Sequence, residues 1–473
     1  MTKGAVALVL HAHLPYVRSA QPGSLEEDWF FQALIECYLP LLETLELASA
    51  DPHQQPKLTI GLSPTLLSLL SDQDLKQRFP AWLNERLDLL PKADPSLRAG
   101  AEHLAATIER HRRAWQSCDG DLIQRFAALQ RLGVVDLLTC GATHGYLPLL
   151  RHHPEAVRGQ LRTAVREHQR LVGERPLGIW LPECAYYEGL DRWMRDAGLR
   201  YAVLDGHGLL HGRPRPRYGV YAPICSRNGV AFFGRDSDAT LPVWSAKDGY
   251  PGDPHYREFH RDLGWDLPIE ELKPLGLDQP RPLGLKLHRV TDHSAPLDRK
   301  RPYEPGVAAE RVKEHAADYL QGRRRQLDQL SAAMDVSPLL VAPFDAELFG
   351  HWWFEGPAFL SQLFQQAPQE GVAFTRLRDV LNNVGQLQLC DPCPSSWGQG
   401  GYHDYWLNDS NAWIIPEWEK ASAAMVQRCS RGVGSEQAMQ WLQQAARELL
   451  LAQSSDWSFI LRAGTTTELA KER

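Results

Sequence analysis

No apolar run in the sequence approaches the roughly 18 residues that a membrane span requires. The N-terminal stretch has only a six-residue run, at 5–10, which stops at His11 and His13. A spanning helix is excluded, and a secretory leader would need a longer apolar core. A cytoplasmic protein with no membrane partner is therefore expected. Cysteine is also scarce: eight irregularly spaced residues in 473 cannot form a disulfide framework for a chain this long. Cys390 and Cys393 have the spacing of a redox or zinc half-site, but with no second pair they read as incidental. Concentrated positive charge is missing as well. With 51 Lys+Arg against 58 Asp+Glu, a net charge of -7 and no long basic run, nothing would hold a nucleic acid by counterion release. The expected ligand is neutral.

Tryptophan, by contrast, is plentiful. Fifteen tryptophans, 14 tyrosines and 14 phenylalanines exceed what packing a core of this size needs, and they crowd into polar segments such as SSWGQGGYHDYW at 395–406 and NAWIIPEW at 411–418. Short apolar runs also recur, at 5–10, 58–62, 134–139, 176–181, 201–204, 283–287 and 339–343. Such runs read as strands buried on both faces, and the helical segments between them, such as 34–48 and 161–172, make a series of βα units around a parallel sheet. In a barrel of parallel strands the C-terminal ends open on one face. His11, His13, His144, Glu183, His288 and Asp345 all follow such runs, so they are expected to converge. The expected organisation is a barrel from 1–70 and 133–350, a helical insertion at 71–132 and a helix-rich C-terminal part at 351–473, with helices at 417–430 and 435–453. The loop-rich stretch 213–282 is long enough to be a lid or binding loop. TTTE at 465–468 is a capping-box pattern, so the last helix is either short or cut off.

Two carboxylates delivered by separate strand ends can divide the work of glycosidic bond cleavage. In a retaining enzyme one attacks the anomeric carbon and the other protonates the leaving oxygen, at a separation of about 5–5.5 Å. Glu183 and Asp345 are the candidates, with Phe344, Phe349, Trp352 and Trp353 near Asp345 to favour its protonated form, and Glu347 a rival for the acid. The histidines admit another chemistry: His11 and His13, with His144, His288 and Asp345, have the makings of a divalent-metal site, or they could hydrogen-bond sugar hydroxyls with no metal. Spacing leaves these two open. The aromatics favour a sugar groove, because the C–H face of a pyranose stacks on a ring: Trp180, Trp265, Trp352, Trp353, Trp397, Trp406, Trp413 and Trp418, with Tyr146, Tyr186, Tyr187, Tyr402 and Tyr405, lie in or near the site-bearing segments. The arginines at 213–217 and 323–325 read as solvated surface.

Taken together, HAHLPY at 11–16, CGATHGYLPLL at 140–150, GIWLPECAYY at 178–187 and APFDAELFGHWWFEGP at 342–357 resemble the conserved regions of glycoside hydrolase family 57. DGHG at 205–208, GYPGDPHYREF at 249–259, SSWGQGGY at 395–402 and SSDW at 454–457 extend the resemblance to its 1,4-α-glucan branching group, over nearly the whole chain. The resemblance implies an α/β fold, an incomplete TIM-like (β/α)7 barrel with a helical insertion and a C-terminal helical domain, and neither catalytic metal nor cofactor. It implies Glu183 as nucleophile and Asp345 as general acid/base. Arg261 (or Arg257 in an adjoining register), Gly284, Trp397 and Asp456 would touch the glucan, and His11, His13, His144, Trp265, His351 and Trp406 would line the donor and acceptor sites. The implied activity cuts an α-1,4 linkage and passes the chain to a 6-hydroxyl as an α-1,6 branch, as in glycogen biosynthesis, with amylose or glycogen as partner and a monomer or weak homo-oligomer as the working state. Hydrolysis or 4-α-glucanotransfer within the family is the alternative, with a metal-dependent hydrolase or deacetylase and a non-catalytic glucan-binding protein further off. The family's lid loop carries a tyrosine; the matching stretch here, 232–250, has none before Tyr250, so Tyr250 and Tyr256 are the candidates. The C-terminus is shorter than is usual in the group.

Overall fold

The computed structural model describes residues 4–19, 23–245, 247–432 and 434–473. Met1 to Lys3, Ala20 to Pro22, Ala246 of the expected lid stretch and Val433 lie outside them. The architecture is α/β, with two sheets and many helices. The first sheet has the order β3 (Val135–Leu138), β2 (Leu58–Leu62), β1 (Ala5–Ala12), β8 (Leu339–Asp345), all parallel. Every residue of β2 and β3 is buried, as in strands covered on both faces; that includes Asp136, whose carboxylate pairs with Arg378 at 3.0 Å and accepts from the Tyr201 hydroxyl at 2.5 Å. The second sheet has the order β4 (Gly178–Ile179), β5 (Tyr201–Leu204), β7 (Ala231–Gly234), β6 (Ile224–Cys225), β9 (Gln388–Leu389). Its first three strands are parallel, and β6 runs antiparallel to β7. The sheets meet at a parallel bridge from Thr139 to Ile179, and beyond β7 the Asp236 N–H donates to the Val341 carbonyl of β8 at 2.9 Å.

Residues 283–287, expected to be a strand, are not one; β7, inside the stretch expected to be loop, stands in the sheet instead. The Asp262 carboxylate explains the difference. It accepts from the N–H groups of Leu283 (2.9 Å) and Gly284 (2.9 Å), while the Leu285 carbonyl accepts from the Leu263 N–H at 2.8 Å. The backbone groups that a sheet would use are thus taken by a neighbouring loop. The expected lid likewise starts as β7 and continues as the helix Ser237–Trp244.

The helices Gln73–Leu89, Arg98–Gln116 and Leu122–Arg131 fill the segment between β2 and β3. After β9 come the helices Ile414–Ser430, Glu436–Ala452 and Ser455–Ala463, then a short last helix, Thr467–Glu472. Ile414 and Trp418 join the apolar cluster around β4 and β5, so the C-terminal helices dock on the second sheet. Arg323 is not solvated surface: it is buried, lies over the Tyr319 ring and donates to the Asp238 carbonyl. Among the described residues no helix is long and apolar enough to cross a membrane, and all eight cysteines are free.

Candidate active site

Strand ends deliver the site. Register sets His11 of β1 opposite Gly61 of β2 on one side and Asp345 of β8 on the other. Gly61 leaves room for the imidazole, since a Cβ there would come 3.1 Å from His11 Nδ1. His144 follows β3 and Glu183 follows β4, both in left-handed backbone: φ is 58° at His144, 61° at Glu183 and 50° at Cys184. Such conformations in non-glycine residues cost about 1–3 kcal/mol each and gather at functional sites.

These side chains open into one cavity of about 820 Å³. His11, His13, His144, Glu183, Asp345, Trp265, His351, Trp397 and Asp456 line it, together with Glu347. Four of the expected residues, Trp406, Arg261, Gly284 and His288, are not among those that line it. Trp406 is buried and stacks on Tyr146 at 4.6 Å, so it packs behind the site and does not line it. Arg261 pairs with Asp266 at 2.7 Å, and Gly284 holds its N–H on Asp262. The alternative to Arg261, Arg257, is buried in an ion pair with Glu36 at 2.8 Å. His288 is outside the cavity as well, in a bridge to Pro302. Neither lid tyrosine reaches the cavity: Tyr250 donates to Asp318 at 2.6 Å and Tyr256 meets His315 at 2.7 Å.

The carboxylates have unlike surroundings. Glu183 Oε2 accepts from Trp397 Nε1 at 2.9 Å and Oε1 from Ser455 Oγ at 2.9 Å. Burial pushes its pKa up, and those two donors oppose the rise. Asp345 accepts no hydrogen bond from the described residues; burial, with Glu347 and Glu183 nearby, pushes its pKa well above the usual carboxylate range, against Arg235. Glu347 is raised to about 7 by burial, although the Tyr38 hydroxyl (2.5 Å) and the His13 N–H (3.1 Å) donate to it. Asp456 behaves in the opposite way. Burial would raise it, but His13 Nε2, 3.1 Å away, holds it far below its ordinary value. His13 is raised in turn: burial opposes its charge and Asp456 overcomes that.

Two groups of residues bring possible metal ligands within 4.8 Å of one another: His13, His144 and Asp456, and His11, Cys140 and His144. In the first, the His13 and His144 rings stack with centroids 3.9 Å apart and planes within 13°. Imidazole lone pairs lie in the ring plane, so two parallel stacked rings cannot aim at one ion at about 2.0–2.1 Å. In the second, His11 Nε2 and His144 Nε2 face each other at 3.0 Å as donor and acceptor, and burial keeps the Cys140 thiol protonated. The donor set suits a hydrogen-bond chain better than a cation.

Aromatic rings form the outer wall. Trp352, 55% exposed, stacks on Phe259 at 4.4 Å, Trp265 is 50% exposed, and Phe459 and Trp29 complete the rim. Ser455 was missed by sequence reasoning, and Ser63, which follows the 58–62 run, was not among the residues expected to converge. Ser455 sits in the SSDW segment beside Asp456, and that adjacency was its only local signal; Ser63 reaches His13 Nδ1 at 2.8 Å and follows an apolar run as the other site residues do.

The family model for glycosyl hydrolase family 57 matches residues 7–391, and the model for the C-terminal part of 1,4-alpha-glucan branching enzymes matches residues 417–473. A 1,4-alpha-glucan branching enzyme of Thermococcus kodakarensis is 32% identical over 505 residues, covering 100% of this chain and 72% of that protein. Among solved structures, an alpha-amylase from Thermotoga maritima superposes with a TM-score of 0.91 at 35% identity, covering 99% of this chain and 90% of that one. The branching enzyme of Pyrococcus horikoshii superposes with a TM-score of 0.90 at 32% identity, covering 99% and 87%.

Proposed function

Because the chain belongs to glycosyl hydrolase family 57, we propose that it is a retaining 1,4-α-glucan branching enzyme. Glu183 attacks the anomeric carbon at an α-1,4 linkage while Asp345 passes its proton to the leaving oxygen, giving a glycosyl-Glu183 ester. Asp345, now a carboxylate, then takes the proton of an incoming 6-hydroxyl as that oxygen displaces Glu183, leaving an α-1,6 branch. The observation that carries this reading is the contrast within one cavity. Two neutral donors favour the anion at Glu183, whereas Asp345 has none among the described residues and lies in the field of Glu347 and Glu183, which outweighs that of Arg235. A nucleophile must be ionised and an acid protonated at the same pH, and surroundings that raise Asp345 further than Glu183 support that division of roles. Asp456, His13 and His351 offer polar groups to sugar hydroxyls, and Trp265, Trp352 and Trp397 offer ring faces.

The same reading takes β8, β1, β2, β3, β4, β5 and β7 as the seven staves of an incomplete barrel built from 1–70 and 133–350, with 71–132 inserted and 351–473 closing the groove. The Thr139 to Ile179 bridge and the bond from Asp236 to Val341 support it.

Hydrolysis is the second reading, favoured by the tethering of Tyr250 and Tyr256 away from the cavity. Without a tyrosine to shield the ester, water competes with the sugar acceptor. Incubation with amylose separates the two: branching produces new α-1,6 linkages with few new reducing ends, and hydrolysis does the reverse. Dialysis against a chelator leaves the rate unchanged on either reading; a rate lost to the chelator and restored by a divalent ion would defeat both.

A further inference from the structure

We infer that Ser455 is a positioning residue for Glu183, the last link in a one-way chain of hydrogen bonds running from His11 through His144, by which the C-terminal helices set the orientation and ionised state of that carboxylate. The inference rests on the reading of Glu183 as nucleophile.

Serine has one hydroxyl hydrogen. Ser455 Oγ lies 2.9 Å from Glu183 Oε1, and a carboxylate only accepts, so the hydrogen points there. The oxygen must then accept from His144 Nδ1, 2.7 Å away. Burial keeps His144 uncharged, so with a proton on Nδ1 its Nε2 carries the lone pair. His11 Nε2, at 3.0 Å, therefore donates. The His11 and His144 centroids are 5.2 Å apart with planes within 18°, the arrangement of two rings meeting edge to edge, which aligns this N–H with its acceptor. His11 is also kept neutral by burial, so its Nδ1 is a bare lone pair, and that atom is buried without a partner.

Reversing the chain shows what it selects. Ser455 would then donate to His144 and accept from Glu183, which requires a protonated Glu183. At the other end His11 Nδ1 would carry a buried hydrogen with no acceptor, and an orphaned N–H is rarer than an orphaned lone pair. The two orientations are thus coupled to the two protonation states of Glu183, and the end of the chain biases it to the anion. The backbone holds Ser455 in register: its N–H donates to the His144 carbonyl at 3.0 Å, and Ser454 bridges to Gly145. Ser455 opens the helix Ser455–Ala463 and is fully buried. The other groups that Glu183 senses are the Trp397 N–H, charged Asp456 and His13, Asp345, and the uncharged Cys140, Cys184 and Tyr146.

The test uses the full chain and an α-maltotriosyl fluoride, whose leaving group needs no proton, so kcat/KM for fluoride release, which ends at loss of fluoride, reads the attack by Glu183. Ser455→Ala is expected to lower kcat/KM about 10- to 100-fold, as loss of a hydrogen bond to a charged group does, with little change in the affinity for maltotriose. Its acid limb should move to higher pH, because the anion has lost a donor. Ser455→Thr, which keeps the hydroxyl, should restore both rate and limb to within a few-fold. An unmoved acid limb in Ser455→Ala, or a Ser455→Thr as poor as Ser455→Ala, overturns the inference. If the alanine variant does not fold, Ser455→Cys, a weaker donor of similar shape, carries the same comparison. Glu183→Gln is run alongside: fluoride release that survives there sinks the nucleophile reading itself, whereas an inert Glu183→Gln beside an unaltered Ser455→Ala sinks only the role of Ser455.

Discussion

Glu183 and Asp345 line the same cavity, but the chain treats them differently. Around Glu183 both oxygens are engaged, by an indole N–H from residue 397 and a hydroxyl from residue 455, each more than two hundred positions away. Around Asp345 no hydrogen-bond donor is present among the described residues, and burial with two further carboxyl groups outweighs the Arg235 guanidinium. The difference teaches that a carboxyl group's role is set less by its own strand than by what distant segments bring to it. β4 and β8 both bring their acids to the cavity, one from a left-handed turn and one from the strand end, and the C-terminal part further distinguishes them.

The strongest way to break this comparison is to neutralise each acid in turn. On amylose, Asp345→Asn should lose activity by roughly 10²- to 10⁴-fold, the usual worth of a general acid, and Glu183→Gln at least as much. On a glycosyl fluoride the two should part, with Asp345→Asn still releasing fluoride and Glu183→Gln inert. Equal rescue of both variants would end the assignment of roles. A smaller effect sharpens it: Glu347→Gln removes a negative neighbour, so the pKa of Asp345 falls and the alkaline limb of kcat/KM moves to lower pH. A limb that stays in place, or rises, would show that Glu347 does not act on Asp345 through its charge. The smallest effects belong to the rim. Trp265→Ala and Trp352→Ala should each raise KM for a long glucan about 2- to 10-fold, as loss of a stacking contact would, and leave kcat and the KM of maltotriose nearly untouched. A change in kcat would place these rings nearer the chemistry than the wall they form.

Most of the strand framework was legible because strands buried on both faces leave continuous apolar runs, and the polar residue after each run marks the open end. His11, His144, Glu183 and Asp345 were found that way. The same rule failed at 283–287, which has the composition of a strand but gives its N–H groups to Asp262, and at AFFG, 231–234, which is short and embedded in loop-like sequence. Aromatic residues were readable as a population and not one by one. Nothing local separates Trp406, buried against Tyr146, from Trp352, open to the cavity. The hydrogen bonds that tune the acids link residues 133 to 311 positions apart, and no periodicity reports such pairings.

The left-handed turns at His144, Glu183 and Cys184 also bear on how this protein can be hardened against heat. Glycine at those positions would relieve backbone conformations that side chains resist, so part of the molecule's unused thermal margin lies in the very turns that aim the His144 imidazole and the carboxylate proposed as nucleophile. A more durable version obtained there would be an idle one. Gains in durability that keep turnover have to come from parts of the chain that bear none of this tension, such as the exposed helices far from the cleft.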